Sequence, residues 1–523
     1  MKRWIVILLA LSTAAAAWGG DVFYNWTASS GIWEDGGNWD VGSPATLIAY
    51  TTVTANTSGS ITVRGLGMSG MGPGANILNN SGTINLVSQS GSFPTLIVTS
   101  TLNNSGQINV GAGQFEVGNS DPTIATSATG GGTINVTGGM LQINSPLNLS
   151  SQTIQGAGSG MVTCGGNWAT PCLTLPAGNV LTANGGGTGQ GLVISGTNIS
   201  NGGILQAANG GTLQLGGGHW SYGPTYVDGG TIQALDGSTV RLGYTNPGDY
   251  DSAGAITGST LNTTGTGQIV AGSGMVLNGI TNNANLNVVS APLTGSAYVV
   301  LTGAINNANA ITLNGGSLQI SGTATLQGGG TVNMGGQSLT LGTLNNIDNH
   351  IQGAGGISNI TIYNQTGGLI DANTSGGTLS FAGTTINNSG MLQASNGGTL
   401  QIGGGHWSGG PVNVNGGTIQ ALDGSTVLLG YTNPGDYDSA GTITGSTLNT
   451  AGSGVIQAGS GMVLDGVTNN GNLSVVNTGA GTNGIFLANT INNRGSITLA
   501  GGNIALNVQT FVTGAATLTG GGT

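Results

Sequence analysis

Three stretches far apart in the chain follow one template: NNSGQINVGAGQFEV from Asn103, NNANAITLNGGSLQI from Asn306 and NNRGSITLAGGNIAL from Asn492. Each has a polar Asn-Asn turn, a short alternating strand, a Gly-containing corner and a second alternating strand. In the middle copy Ile311 and Leu313 face one way, Asn314 to Gly316 turn the chain, and Leu318 and Ile320 face that way again. Period-two alternation in such short pieces, punctuated by Gly and Asn, specifies strands and not helices. Neighbouring templates start about 20–27 residues apart, a solenoid period. A coil this short cannot cover its own apolar face, so coils must stack strand on strand to close a core and pair their backbones. Gly and Asn suit the corners because both tolerate left-handed backbone, and asparagines at equivalent corners are expected to stack into amide ladders. About 20 coils at ~4.8 Å spacing would make a body on the order of 100 Å long. The competing arrangement is a string of small β-sandwiches.

A longer repeat contains the short one. Thr212 to Gly254 aligns without gaps on Thr399 to Gly441, an offset of 187 with 37 of 43 residues identical. Upstream, IQGAG at Ile154 returns at Ile351, so the second copy is about ten residues shorter there, across the segment that holds CGGNWATPC. The duplicated long unit is thus about 190 residues. The expected organisation is a signal peptide (1–20), a Trp-rich N-terminal cap (21–50), first coils (51–128), long repeat 1 (129–327), long repeat 2 (328–519) and the start of a third unit (520–523). That last piece suggests a truncated frame or a fragment.

Glycine supplies 105 of 523 residues and charged side chains only 4%. The opening MKRWIVILLALSTAAAAWGG reads as a secretory signal, with Lys2 and Arg3, an apolar stretch from Trp4 to Leu11 and small residues from Ala14 to Ala17. A buried N-terminal strand is the alternative. The apolar stretch is too short to span a bilayer, and no later run is longer. Without the signal, Arg64, Arg241 and Arg494 stand against 16 acidic residues, a net charge of −13. Nucleic acid and anionic membranes need cations that this chain lacks. Cys164 and Cys172 fit a disulfide in an oxidising compartment, the alternative being two free thiols.

After the signal comes NWTASSGIWEDGGNWDVGSPA. Trp26, Trp33, Gly37, Asn38, Trp39 and Pro44 resemble the opening of many large bacterial exported β-helix proteins, autotransporter-type passengers and exoproteins with a C-terminal sorting anchor among them. The Asn/Gly coils extend the general resemblance over almost the whole chain. It implies an all-β, right-handed parallel β-helix at the cell surface, adhesive or structural in role. The chain departs from those families at its end, which shows no barrel, sorting anchor or cell-wall motif. The tryptophans read as a cover for the first coil, with sugar stacking as the alternative.

The stretch GYTNPGDYDSAG occurs at Gly243 to Gly254 and again at Gly430 to Gly441. Pro247 and Gly248 have the residues of a tight turn. The strand before it points Val240, Leu242 and Tyr244 one way and Arg241 the other; in the second copy Val427, Leu429 and Tyr431 keep the inner side while the arginine becomes Leu428. Losing the nearby cation argues against an anion clamp common to both copies. Asp249 and Asp251 could in principle serve as acid and base toward a glycoside. No cation lies beside them in sequence, and copies eight or nine coils apart, on the order of 40 Å, cannot build one cleft. As calcium ligands, Asp249, Asp251, Asp436 and Asp438 offer oxygens, but their spacing matches neither an EF-hand nor the Gly-Gly-x-Gly-x-Asp repeat. GGGHW, at Gly216 to Trp220 and Gly403 to Trp407, sits in the preceding coil, and one histidine per copy is a weak metal signal.

The expectation is therefore a secreted or cell-surface bacterial protein without catalytic residues or cofactor, calcium aside. It would be an adhesin or structural exoprotein presenting repeated loops to surface glycans or other cell-surface proteins, with no nucleic-acid partner and no membrane span. The expected contacts are His219, Trp220 and Tyr250 with their counterparts His406, Trp407 and Tyr437. Weak contacts on several coils would add through effective concentration. The rivals are a polysaccharide-degrading β-helix enzyme and a calcium-stabilised surface-layer component.

Overall fold

The computed structural model describes residues 22–40, 42, 51–55, 60–64, 74–88, 93–119, 121, 123–164, 171–185, 191–217, 223–245, 253–290, 298–404, 410–430, 440–477, 484–506 and 516–523. These divide into two compact units, 1–270 and 271–523. The signal-like segment 1–20 lies outside the described residues.

Each unit is a parallel β-helix. The sequence dictates its unit of construction, a four-residue strand with two residues in and two out. Thr133–Val136 buries Ile134 and Val136 and turns Thr133 and Asn135 outward, and Thr418–Ala421 does the same with Ile419 and Ala421. Parallel strands cannot be joined by tight hairpins, so the chain runs once around before it returns to the neighbouring position.

From Thr126 onward the turns of unit 1 carry three strands each and make three stacked faces. The first includes Leu173–Leu175, Asn198–Asn201, Thr225–Asp228 and Gly254–Thr257. The second includes Thr133–Val136, Thr153–Gly156, Val180–Asn184, Ile204–Ala208 and Thr231–Ala234. The third includes Ser159–Cys164, Gly191–Ser195, Thr212–Leu215 and Thr239–Leu242. Unit 2 repeats the plan; its second face includes Thr331–Asn333, His350–Gln352, Leu369–Ala372, Met391–Ala394 and Thr418–Ala421.

Coil length varies more than the template implies. Paired residues are as close in sequence as Ile456 and Leu473 and as far apart as Ser159 and Gly191. These separations of 17 and 32 bracket the expected 20–27, because the corners take up loops of different length while the strands keep their register.

The core is aliphatic: Ile134, Ile154, Leu181, Leu205 and Ile232 stack in one column of unit 1, all without solvent exposure. Each such side chain contributes about 1.5–3 kcal/mol on burial. The expected amide ladders are present where the first face turns into the second. In unit 1 Asn80 donates to Asn104 at 2.7 Å, and Asn104 to Gln152 at 3.0 Å. In unit 2 Asn346 donates to Asn364 and Asn364 to Asn388, each at 2.9 Å. All these residues are buried, so the ladder satisfies amides that water cannot reach.

The tryptophans at the start pack on one another. Trp33 and Trp39 are buried and Trp26 nearly so. Trp39 packs edge-on against Trp26 and Trp33, with centroids 5.1 and 4.8 Å apart, and its indole N–H donates to the Trp33 carbonyl at 2.9 Å. Asp40 fixes the entry by accepting from the backbone and side-chain amides of Asn25. Rings held this way leave no stacking face for a sugar.

Candidate functional site

In unit 1 the corner where the third face turns into the first carries several of the longer connections between described strands. Cys164 ends one strand and Cys172 precedes the next, and a disulfide closes the segment between them. One coil separates it from GGGHW, which lies between Thr212–Leu215 and Thr225–Asp228. GYTNPGDYDSAG follows on the next coil, between Thr239–Leu242 and Gly254–Thr257. Because those strands pair in register, the two excursions leave from the same corner of consecutive coils.

Unit 2 has the same arrangement. Thr399–Ile402 pairs with Thr426–Leu429, and Val412–Asn415 with Gly441–Thr444. At the position equivalent to the disulfide excursion only Asn359 and Ile360 join Gly355–Ser358 to Thr361–Asn364. The staple is therefore local, as the shorter second copy implies.

The two copies hold the roots of these loops differently. In unit 1 the Gln214 amide donates to the carbonyls of Gly216 and Gly243 at 2.6 and 2.8 Å, tying one loop to the other. In unit 2 Gln401 donates to Gly403 and Gly404 at 3.3 and 2.8 Å, within its own loop. Gly254, at φ +98°, lies so close to the coil below that a Cβ would stand 1.8 Å from the Thr225 carbonyl oxygen. Its copy Gly441, at φ +104°, meets the Val412 oxygen at 1.9 Å. Only glycine fits where the loop rejoins the stack.

Of the sequence-predicted positions, Val240, Leu242, Val427 and Leu429 are buried and Arg241 and Leu428 point outward. Tyr244 is half-buried at the loop root. The candidate contacts His219, Trp220, Tyr250, His406, Trp407 and Tyr437 lie outside the described residues, as do Tyr431 and the candidate calcium ligands Asp249, Asp251, Asp436 and Asp438. Among the described residues no three His, Cys, Asp or Glu side chains gather as a metal group.

Two polar arrangements escaped the sequence reading. At the corner between the second and third faces of unit 1, Asp236 accepts from the backbone N–H and the hydroxyl of Thr266, at 2.8 and 2.9 Å. In unit 2 Asp423 accepts likewise from Ser453, at 2.8 and 2.7 Å. These bonds, the backbone one foremost, hold both carboxyls below their ordinary value. The exchange of Thr266 for Ser453 between copies, which keeps the hydroxyl, is the signal that could have found this clamp. The second arrangement is a His350–Asp371 pair with a contact of 3.5 Å, 21 residues apart and brought together by register.

The chain matches no protein-family model and no curated protein sequence. Among solved structures it is similar to the TibC-catalysed, hyper-glycosylated TibA55-350 fragment, at 14% identity and a TM-score of 0.23 over 75% of this chain and 99% of that one. A likeness at that score carries no argument, and the parallel β-helix rests on the strand register itself. Among the described residues no helix is long and apolar enough to cross a membrane.

Proposed function

We propose that this is an exported surface protein, an adhesin or structural exoprotein, whose β-helical units hold recurring corner loops against surface glycans or other cell-surface proteins. One observation carries the reading: in both units the GGGHW and GYTNPGDYDSAG loops leave from the same corner of consecutive coils. The strand ends that flank the loop with the histidine and tryptophan thereby lie one coil from those that flank the loop with the tyrosine and aspartates. Two modest sites in one chain gain avidity through effective concentration.

The test is binding of the purified chain to a glycan array and to intact cells, compared with W220A, W407A and the double variant. Loss of one copy should weaken binding by about 10²-fold or more, the avidity gain of a linked pair, and loss of both should abolish it. Unchanged binding in the double variant would sink these contacts. Turnover of an acidic or neutral polysaccharide by the wild-type chain would replace the reading with the enzymatic one.

A further inference from the structure

The two long repeats share a scaffold on their second face but differ at three positions that meet in space. The register makes Thr153 equivalent to His350, since each follows a threonine one coil below. It makes Thr182 equivalent to Asp371, paired with Gln155 and Gln352 respectively, and Ala208 equivalent to Ser395. The surroundings are retained. Asn184 donates to Gln155 at 3.1 Å in unit 1, and Asn373 to Gln352 at 2.8 Å in unit 2. Gln206 donates to the Thr182 hydroxyl at 3.0 Å, and Gln393 to Asp371 Oδ2 at 2.7 Å. Against that common frame, unit 2 places a histidine, a carboxylate and a hydroxyl together where unit 1 has two threonines and an alanine.

The resulting cluster has the form of a cation site. Asp371 is 3% exposed although it occupies an outward strand position. Its carboxylate is held by Gln393 and by the Ser395 hydroxyl, 2.9 Å from each oxygen. No Lys or Arg is present on the strands stacked above and below it, His350–Gln352 and Met391–Ala394. His350 Nε2 is buried without a hydrogen-bond partner and faces Asp371 Oδ2 at 3.5 Å. That separation is long for a hydrogen bond. It matches two ligands of a tetrahedral ion bound at ~2.1 Å, which lie about 3.4 Å apart. The His350 side chain remains 30% exposed, which leaves a path for an ion to enter.

We propose that His350 Nε2 and Asp371 bind a divalent transition-metal ion of the Zn²⁺ type, with Gln393 and Ser395 orienting the carboxylate. Imidazole with carboxylate selects such ions over Ca²⁺ and Mg²⁺, which prefer all-oxygen shells. The chain supplies two ligands and water completes the shell. The site joins two consecutive coils of unit 2, so the ion acts as a cross-coil staple on the face that unit 1 closes with hydroxyls alone.

The experiment is calorimetric titration of the full chain with ZnCl₂, alongside H350T, D371T and S395A, and with CaCl₂ as the hard-cation control. H350T and D371T restore residues that unit 1 carries at the equivalent positions, which makes them safe for the fold; their metal-free melting curves verify this. The expected result is one equivalent of Zn²⁺ fewer per chain in both threonine variants, and about 10-fold weaker binding at that site in S395A. Zn²⁺ should raise the melting temperature of the wild type but not of H350T. Equal stoichiometry in wild type, H350T and D371T, or wild-type binding of Ca²⁺ but not Zn²⁺, would overturn the proposal.

Discussion

Asn364 sits between two other buried amides, accepting from Asn346 and donating to Asn388. Replacing it with leucine strands one donor and one acceptor away from water. Each stranded group costs about 1–3 kcal/mol, so N364L should lower the denaturant midpoint far more than a change at the exposed Asn415. Equal midpoints for the two variants would refute the ladder's role. The clamp aspartates behave differently because they are open to solvent. Asp236 and Asp423 have carboxyls lowered from 3.8 by hydrogen bonds from Thr266 and Ser453. A depressed carboxyl stabilises the fold above its unfolded value and loses that effect as pH falls through the folded one. The D236N/D423N variant should therefore melt below the wild type at neutral pH, and the gap should close below about pH 3.8. A gap that stays constant with pH would remove the clamp's electrostatic part.

At the scale of the element, a coil has little to hold it except the coils on either side. Most of its strands are four residues long, and its free length is taken up at the corners. The disulfide stabilises one such corner by closing a loop between residues eight apart. In the chain-entropy model a small loop of this kind contributes about 2–3 kcal/mol. C164S/C172S should lose up to that amount in a reductant-insensitive melt, with increased hydrogen exchange confined to Ser159–Cys164 and Leu173–Leu175. Loss of protection throughout unit 2 as well would contradict a local staple, since that unit spans the same corner with two residues.

For the whole molecule, charge is the decisive property. The arginines of the described coils, Arg64, Arg241 and Arg494, belong to coils far apart in sequence, and the acidic residues outnumber them. Phosphate-backbone binding depends on several clustered cations and their released counterions. The chain should pass through a heparin column without retention even at low ionic strength, and it should not shift duplex DNA. Retention that falls with salt would show a basic surface that the sequence does not supply. Stability in such a stack is a sum over coils and their interfaces, so unfolding is expected to lose the steepness of a two-state transition.

The sequence by itself determined the strand, the solenoid and the corner chemistry. Alternation of Ile, Leu and Val with Thr, Asn and Gln is a local property, and it fixes which side of each strand is buried whatever coil it belongs to. The Asn ladders were legible for the same reason, since identical letters at repeated corners must meet when coils stack. What the tertiary structure decided is which residues become neighbours across coils. Coil lengths from 17 to 32 residues mean that sequence spacing does not give register, and only backbone pairing does. That pairing set the strands that flank GGGHW beside those that flank GYTNPGDYDSAG, and Asp236 beside Thr266. It also brought His350 to Asp371, two residues that look unrelated along the chain and become a pair only one coil apart.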